Sequence, residues 1–270
     1  MEDKTVAFVL GSDGMLGTMV TDYLLAKNWE VIEYNRGTQE PLVEFIKNIG
    51  NSSNNYLFNC IGSIPQKHPS VHELYSANLK VVLEIIQQVG SKVHVIQPST
   101  DCVFSGDKST AYDKYDFDIA KDDYGMSKRA AELFMLQRPN SYIIRTSIIG
   151  LGKNDKGLLS WILSQKNKTV DGFSNHYWNG ITTLEWCKQT IDILSEEQNS
   201  KTRIHQLGTQ QRISKEDLIR LVSKIFDLNI TVNAVIKSPK SLILKSDRYI
   251  IPLHEQLKEM KKWKNLTSKL

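Results

Sequence analysis

The chain has 270 residues, 40% of them hydrophobic and 24% charged, with a formal net charge of +4. That is the balance of a globular protein with ample material for a core, and it excludes a disordered chain or a strongly basic nucleic-acid binder. Three widely spaced cysteines, Cys60, Cys102 and Cys187, give no disulfide framework and no zinc spacing.

A cytoplasmic location is the simplest expectation, because cysteines of this kind suit a reducing compartment. The N-terminal apolar run is too short for a signal peptide, and no run reaches membrane-spanning length. A homodimer is compatible with the sequence. Neither nucleic acid nor a membrane is expected as a partner.

Thr5 to Leu10 is a continuous apolar run ending at a glycine, the pattern of a buried parallel strand. Met15 to Lys27 has helical periodicity, and Glu30 to Tyr34 reads as a second strand. A helix over Leu42 to Ile49 and a strand over Tyr56 to Ile61 follow. Val71 to Val89 reads as one long amphipathic helix, and Val93 to Gln97 as a fourth strand. A helix over Asp123 to Leu136 and a strand over Ser141 to Thr146 complete the alternation. Strands and helices alternate without a hairpin signal. The expected fold is therefore α/β, a doubly wound parallel sheet with helices on both faces.

After Gly150 the rhythm changes. Helices are expected over Leu158 to Gln165, Leu184 to Leu194 and Glu255 to Trp263, and strands over Ile204 to Leu207 and Ile230 to Ile236. Ser214 caps a further helix, with acidic residues in its first turn and Leu218, Leu221, Val222 and Ile225 on one face. The expected division is a dinucleotide-binding domain over 1–155. A smaller α+β substrate lobe over 156–270 is interleaved with the end of the first domain.

Gly11-Ser12-Asp13-Gly14-Met15-Leu16-Gly17 is a G-x-x-G-x-x-G turn between strand and helix. Glycine lets a pyrophosphate approach the backbone, and the helix N-terminus supplies N–H groups and a positive dipole end. At the end of the second strand an acidic residue would bind the ribose hydroxyls of NADH. Here the strand ends in Asn35 and Arg36, which favours NADPH over NADH.

Gln97 to Gly106 ends the fourth strand, where active sites of doubly wound sheets lie. Ser99, Thr100, Asp101 and Cys102 are therefore candidate substrate contacts. Tyr124 and Lys128 are spaced i,i+4 on a helix and share a face. An ammonium beside a phenol lowers the phenol pKa, which makes Tyr124 a candidate proton donor or acceptor. Tyr23 and Lys27 have the same spacing and read as a plain helix surface. His68 and His72 read as a surface pair rather than a metal site.

These residues carry a resemblance. Gly11-x-x-Gly14-x-x-Gly17, Asn59-Cys60-Ile61-Gly62, Asn78, Ser99-Thr100-Asp101-x-Val103-Phe104-x-Gly106, Tyr124-Gly125-x-Ser127-Lys128 with Glu132, and Ile144-Arg145-Thr146-Ser147 occur in this order. Over about its first 150 residues the chain resembles the extended short-chain dehydrogenase/reductase superfamily, and within it the dTDP-4-dehydrorhamnose reductase branch.

The resemblance implies a Rossmann fold, a nicotinamide cofactor and a nucleotide-diphosphate sugar held between the domains. It implies Thr100, Tyr124 and Lys128 as the catalytic set. Tyr124 would protonate the sugar oxygen, Lys128 would hold the nicotinamide ribose, and Thr100 would orient the keto oxygen. Cys60, Ile61, Gly62 and Asn78 would join the glycine turn at the cofactor.

Trp178 and Asn179, in an aromatic and polar run, would line the sugar-nucleotide cleft. Lys237, Lys240, Lys245 and Arg248 are candidate diphosphate contacts. Cys102 departs from the aromatic residue usual after Thr-Asp. The related 4,6-dehydratases carry Thr-Asp-Glu where this chain has Thr100-Asp101-Cys102, so the elimination base is missing. The implied reaction is reduction of a 4-keto sugar nucleotide. A 4-epimerase on the same residues and a catalytically silent regulatory subunit remain as alternatives.

Overall fold

The computed structural model describes residues 4–65, 70–152, 157–196 and 203–267, with the backbone alone for 264–267. His68 lies outside them. Five apolar segments form the first strands of a parallel sheet: β1 (Val6–Leu10), β2 (Glu30–Tyr34), β3 (Asn55–Asn59), β4 (His94–Ser99) and β5 (Ser141–Arg145). The later strand β10 (Ile204–Gln206) pairs with β5 and completes an order of β10-β5-β4-β3-β1-β2. The chain leaves β1 toward β2 and then returns to the other side of β1 as β3. The topological switch point is therefore the gap between the carboxyl ends of β1 and β3, where doubly wound sheets bind ligands.

Alternation along β1 feeds two cores. Ala7 and Val9 face one and Phe8 and Leu10 the other. On the first face pack α1 (Met15–Ala26) and the later α7 (Thr183–Glu196). On the second pack α2 (Leu42–Lys47), α4 (Val81–Gln88) and α5 (Asp123–Met135). Tyr23, expected at a helix surface, is instead buried in the first core, with its ring 5.8 Å from that of Trp263. Only its partner Lys27 is exposed.

The expected long helix over Val71 to Val89 has three parts. A capping box joins Ser70 and Glu73 at the start of α3 (Val71–Tyr75). A π-helical turn over Ser76–Lys80 follows, and then α4. The π turn brings Asn78 inward, and such insertions are frequent at functional sites.

The remaining elements are β6 (Ile148–Ile149), α6 (Leu158–Leu163), β7 (Thr169–Phe173), β8 (His176–Trp178), β9 (Ile181–Thr182), β11 (Ile213–Ser214), α8 (Lys215–Phe226), β12 (Thr231–Val235), β13 (Lys240–Leu242) and α9 (Leu253–Thr267). β7 and β12 pair in parallel, and β8 sits between β11 and β13. Helices α6, α8 and α9 cover a separate apolar cluster built on Leu159, Ile162, Leu218, Val222 and Leu257. Ser214 caps α8 as expected, its hydroxyl accepting from the Asp217 N–H at 3.0 Å.

Tyr112, in the loop after β4, stitches this region to that side of the sheet, and Asn179 ties the region together internally. Tyr112 is fully buried, and its backbone bonds to Ile243 and Lys245. Asn179 bonds to Thr209 and Leu244.

Candidate active site

The glycine turn is built as phosphate chemistry requires. Gly11 has φ +73°, a region that disfavours side chains, and a Cβ there would meet the Cys60 carbonyl at 3.0 Å. A Cβ on Gly17 would fall 2.1 Å from the Gly11 carbonyl oxygen, so only glycine lets α1 start this close to β1. Helix α1 has no side-chain cap and no acidic residue in its first turn. Its leading N–H groups and dipole are left for an anion at the switch point. A dinucleotide pyrophosphate fits this cradle through the backbone of Asp13, Gly14 and Met15. Ser12 and Leu16 point their side chains inward, and both are buried.

Asn35 shapes the adjoining turn rather than standing free. Its side chain donates to the Ser12 hydroxyl at 3.3 Å and accepts from the Gly37 N–H at 2.8 Å. Arg36, next in the turn, is exposed. Across the switch point lie Cys60, Ile61 and Gly62. Burial pushes the Cys60 thiol up to about 12, against the opposing pull of the Lys128 charge.

Asn78 is a strut. It donates to the Ser63 carbonyl and the Ser127 hydroxyl, both at 3.1 Å, and accepts from the Ser63 N–H at 2.9 Å. Its amide ties the loop after β3 to α5.

Thr100, directly after β4, lies close enough to the Tyr124 phenol to pull its pKa down. Its hydroxyl donates to Asp101 Oδ1 at 2.9 Å and accepts from the Cys102 N–H at 3.1 Å. Gly125 makes this approach of α5 possible, since a Cβ there would lie 2.1 Å from the Cys102 carbonyl oxygen. Tyr124 keeps some surface open to solvent, but protein atoms crowd its phenol.

The expectation that Lys128 lowers the Tyr124 pKa is not met. Burial comes first and raises it, the Cys102 and Asp101 charges add to the rise, and Thr100 only partly offsets them. Lys128 is buried and donates to the Pro98 carbonyl at 2.7 Å. Burial holds its ammonium down to about 8, with Glu132 and Cys60 acting the other way.

The other sequence candidates lie as follows. Ser99 is buried and donates to Glu132 Oε1 at 2.5 Å, away from an open cleft. Trp178 belongs to the apolar cluster of the second region. Both donors and the acceptor of Asn179 serve backbone groups. Trp178 and Asn179 are both buried. Of the four cations considered for a diphosphate, Arg248 pairs with Glu196 and Lys245 with Asp113. Lys237 lies over Phe173. Lys240 alone of the four acts on the site, through the Cys102 thiol.

Lys215 was not expected. It opens α8, its Nζ lies 4.9 Å from the Trp178 ring centroid, and its charge acts on Asp101 and Cys102. Burial lowers its pKa, and those two partners raise it. One signal was available in the sequence. A lysine at the first position of a helix opposes the helix dipole, and a residue that breaks a local rule often serves a site.

Residues 70–235 match the family described as the RmlD substrate binding domain. The chain belongs to that family. Comparison with curated protein sequences gives no match. Among solved structures, a dTDP-4-dehydrorhamnose reductase from Bacillus anthracis in complex with NADP superposes with a TM-score of 0.83 at 14% identity, over 97% of this chain and 100% of that one. The corresponding reductase from Clostridium acetobutylicum gives 0.81 at 17% identity, over 96% and 99%. A dTDP-glucose 4,6-dehydratase from Streptomyces venezuelae with NAD bound gives 0.77 at 13% identity, over 98% of each chain. One fold thus accommodates proteins named for different reactions, and the residues at the site must discriminate among them.

Proposed function

We propose that this protein reduces the 4-keto group of a nucleotide-linked deoxysugar with a nicotinamide cofactor, NADPH in preference to NADH. The observation that carries the reading is the close approach of the Tyr124 helix to the Thr100 segment at the carboxyl end of β4, on the same edge of the sheet as the glycine cradle. When bound, the reduced nicotinamide supplies the hydride. Tyr124 donates its phenolic proton to the sugar oxygen, as a buried phenol that stays protonated at neutral pH can. Thr100 fixes the oxygen beside it. Lys128, anchored on Pro98, would hold the nicotinamide ribose with its remaining N–H donors. The Gly11–Gly17 turn holds the pyrophosphate, and Arg36 is free to meet a 2′-phosphate.

The names of the structural relatives support the substrate class, because they are named for reactions on dTDP-linked sugars, and one is in complex with NADP. Dehydration is disfavoured by Cys102. A thiol pushed upward by burial and by Asp101 is a poor base where elimination would need a carboxylate. Lys240 and Lys215 add positive charge beside Cys102 for an anionic substrate. Among the described residues no helix is long and apolar enough to cross a membrane.

The test is cofactor consumption with a panel of 4-keto sugar nucleotides carrying different bases. Oxidation of NADPH in step with a dTDP-linked ketosugar supports the reading. Absence of oxidation with every ketosugar contradicts it.

A further inference from the structure

The loop between Thr100 and Tyr124 is folded around one phenol. Tyr112 is fully buried, and its ring stacks on Phe104 with centroids 4.4 Å apart. Its hydroxyl donates to Asp118 Oδ2 at 2.9 Å and accepts from the Gly106 and Lys108 N–H groups, both at 3.0 Å. One donor and two lone pairs are the full capacity of a phenol. Three separate points of the loop are thereby drawn to one oxygen.

The same residue ties the loop to the second region. The Tyr112 N–H donates to the Ile243 carbonyl at 2.7 Å, and its carbonyl accepts from the Lys245 N–H at 2.9 Å and from Gln206 Nε2 at 2.9 Å. Beside them the Ser241 N–H, in β13, donates to the Gly106 carbonyl at 3.2 Å. Val103, Phe104, Tyr112 and Leu244 form a small apolar cluster of their own at this junction.

Gly106 has φ +87°, and a Cβ on it would lie 3.3 Å from both Cγ and Cε of Lys240. The Lys240 stem therefore rests on the turn whose N–H Tyr112 holds. Lys240 is exposed, and its charge is felt at Cys102, two residues after Thr100. The carboxylate of Asp107, next to Gly106, is engaged by Lys121.

We propose that Tyr112 is a positioning residue for substrate binding, holding the Gly106 turn against β13 so that Lys240 meets the diphosphate of the sugar nucleotide beside Thr100. The inference rests on the nucleotide-diphosphate sugar proposed above. With its ring buried and its hydroxyl saturated, Tyr112 acts through the turn it holds.

Tyr112→Phe keeps the ring on Phe104 and removes the oxygen shared by Gly106 and Lys108. With NADPH and a dTDP-4-keto-6-deoxyhexose, the KM for the sugar nucleotide should rise roughly 5-fold or more. Both kcat and NADPH affinity should stay within about 3-fold of wild type. Lys240→Met should raise the same KM roughly 10-fold, the scale of a charge-assisted hydrogen bond. Residues that act as a unit are not additive, so Tyr112→Phe should add no more than about 2-fold in the Lys240→Met background. Losses that multiply in the double variant, or a kcat that falls with KM unchanged, would overturn the inference and leave the reductase reading intact. So would an unchanged KM in Lys240→Met, whether or not the Tyr112 variant folds.

Calorimetry with dTDP repeats the comparison without turnover. Each single variant should bind dTDP more weakly than wild type, and the double variant no more weakly than Lys240→Met. That pattern in a protein that oxidises no NADPH would support the inference and contradict the reductase reading. Equal dTDP affinity in wild type and Lys240→Met would contradict the inference alone.

Discussion

Glu132 grips Arg145 through both carboxylate oxygens, with Nε to Oε1 at 2.8 Å and Nη2 to Oε2 at 2.7 Å, and neither side chain is more than 1% exposed. Arg129 and Ser99 complete the network. A two-pronged ion pair of this kind fixes orientation as well as distance. It joins α5, which carries Tyr124 and Lys128, to the end of β5, and through Ser99 to the end of β4 beside Thr100. The catalytic helix is thereby held in register with the strand end it must face.

Glu132→Ala should therefore cost about 3–5 kcal/mol of stability, because it strands a guanidinium that water cannot reach. Chemical denaturation measures this directly. A loss under about 1 kcal/mol would mean that the network is redundant.

Tyr124→Phe keeps the ring and removes the proton. Turnover should fall at least ~100-fold with cofactor affinity nearly unchanged. Steady-state rates and a fluorescence titration of the cofactor separate the two effects. Near-normal turnover would remove Tyr124 from the chemistry.

Arg36→Ala should weaken NADPH binding roughly 10-fold or more, the scale of a charge-assisted hydrogen bond, and leave NADH nearly unaffected. Calorimetry with each cofactor is the measurement. Equal losses for both would place Arg36 away from the 2′-phosphate.

Lys128 makes a prediction that needs no substrate. Burial lowers its folded-state pKa to about 8, below the ordinary value of about 10.4. The native amine therefore gives up its proton first as pH rises. The buried cation weighs against folding in full below pH 8, and the burden is relieved between there and about pH 10.4. Lys128→Met should match or exceed the wild-type melting temperature at pH 7 while losing turnover. The difference should shrink or reverse by pH 10. A variant markedly less stable at pH 7 would show that the Pro98 hydrogen bond outweighs desolvation.

The parts of the site that follow one another along the chain were legible in the sequence. The glycine turn, the strand end at Thr100 and the Tyr124 helix each need only local periodicity and turn chemistry. What was missed depends on how distant segments meet. Asn78 looks like an ordinary helical residue until the π turn brings it to Ser63 and Ser127. Asn179 carries chemistry that a ligand could use, yet Leu244 and Thr209 consume it, and Trp178 is buried in the second apolar cluster. Strand β7 went unread because it is short and broken by Gly172, where a Cβ would lie 2.7 Å from the backbone of α8. Lys215 reaches Asp101 only after that helix has docked. The pKa expectation for Tyr124 failed for the same reason, since spacing fixes a shared helix face but not where the ammonium finds its acceptor.

The central claim is that this site performs net reduction. The most direct test is to purify the protein, measure its bound nicotinamide, and follow NADPH absorbance with a dTDP-4-keto-6-deoxyhexose while the sugar product is analysed. The account predicts protein free of cofactor, with one NADPH oxidised for each ketosugar converted to its alcohol. Protein that arrives with tightly held cofactor and interconverts two sugar epimers with no net oxidation would contradict it. In that case Tyr124 would serve first as base and then as acid in an epimerase.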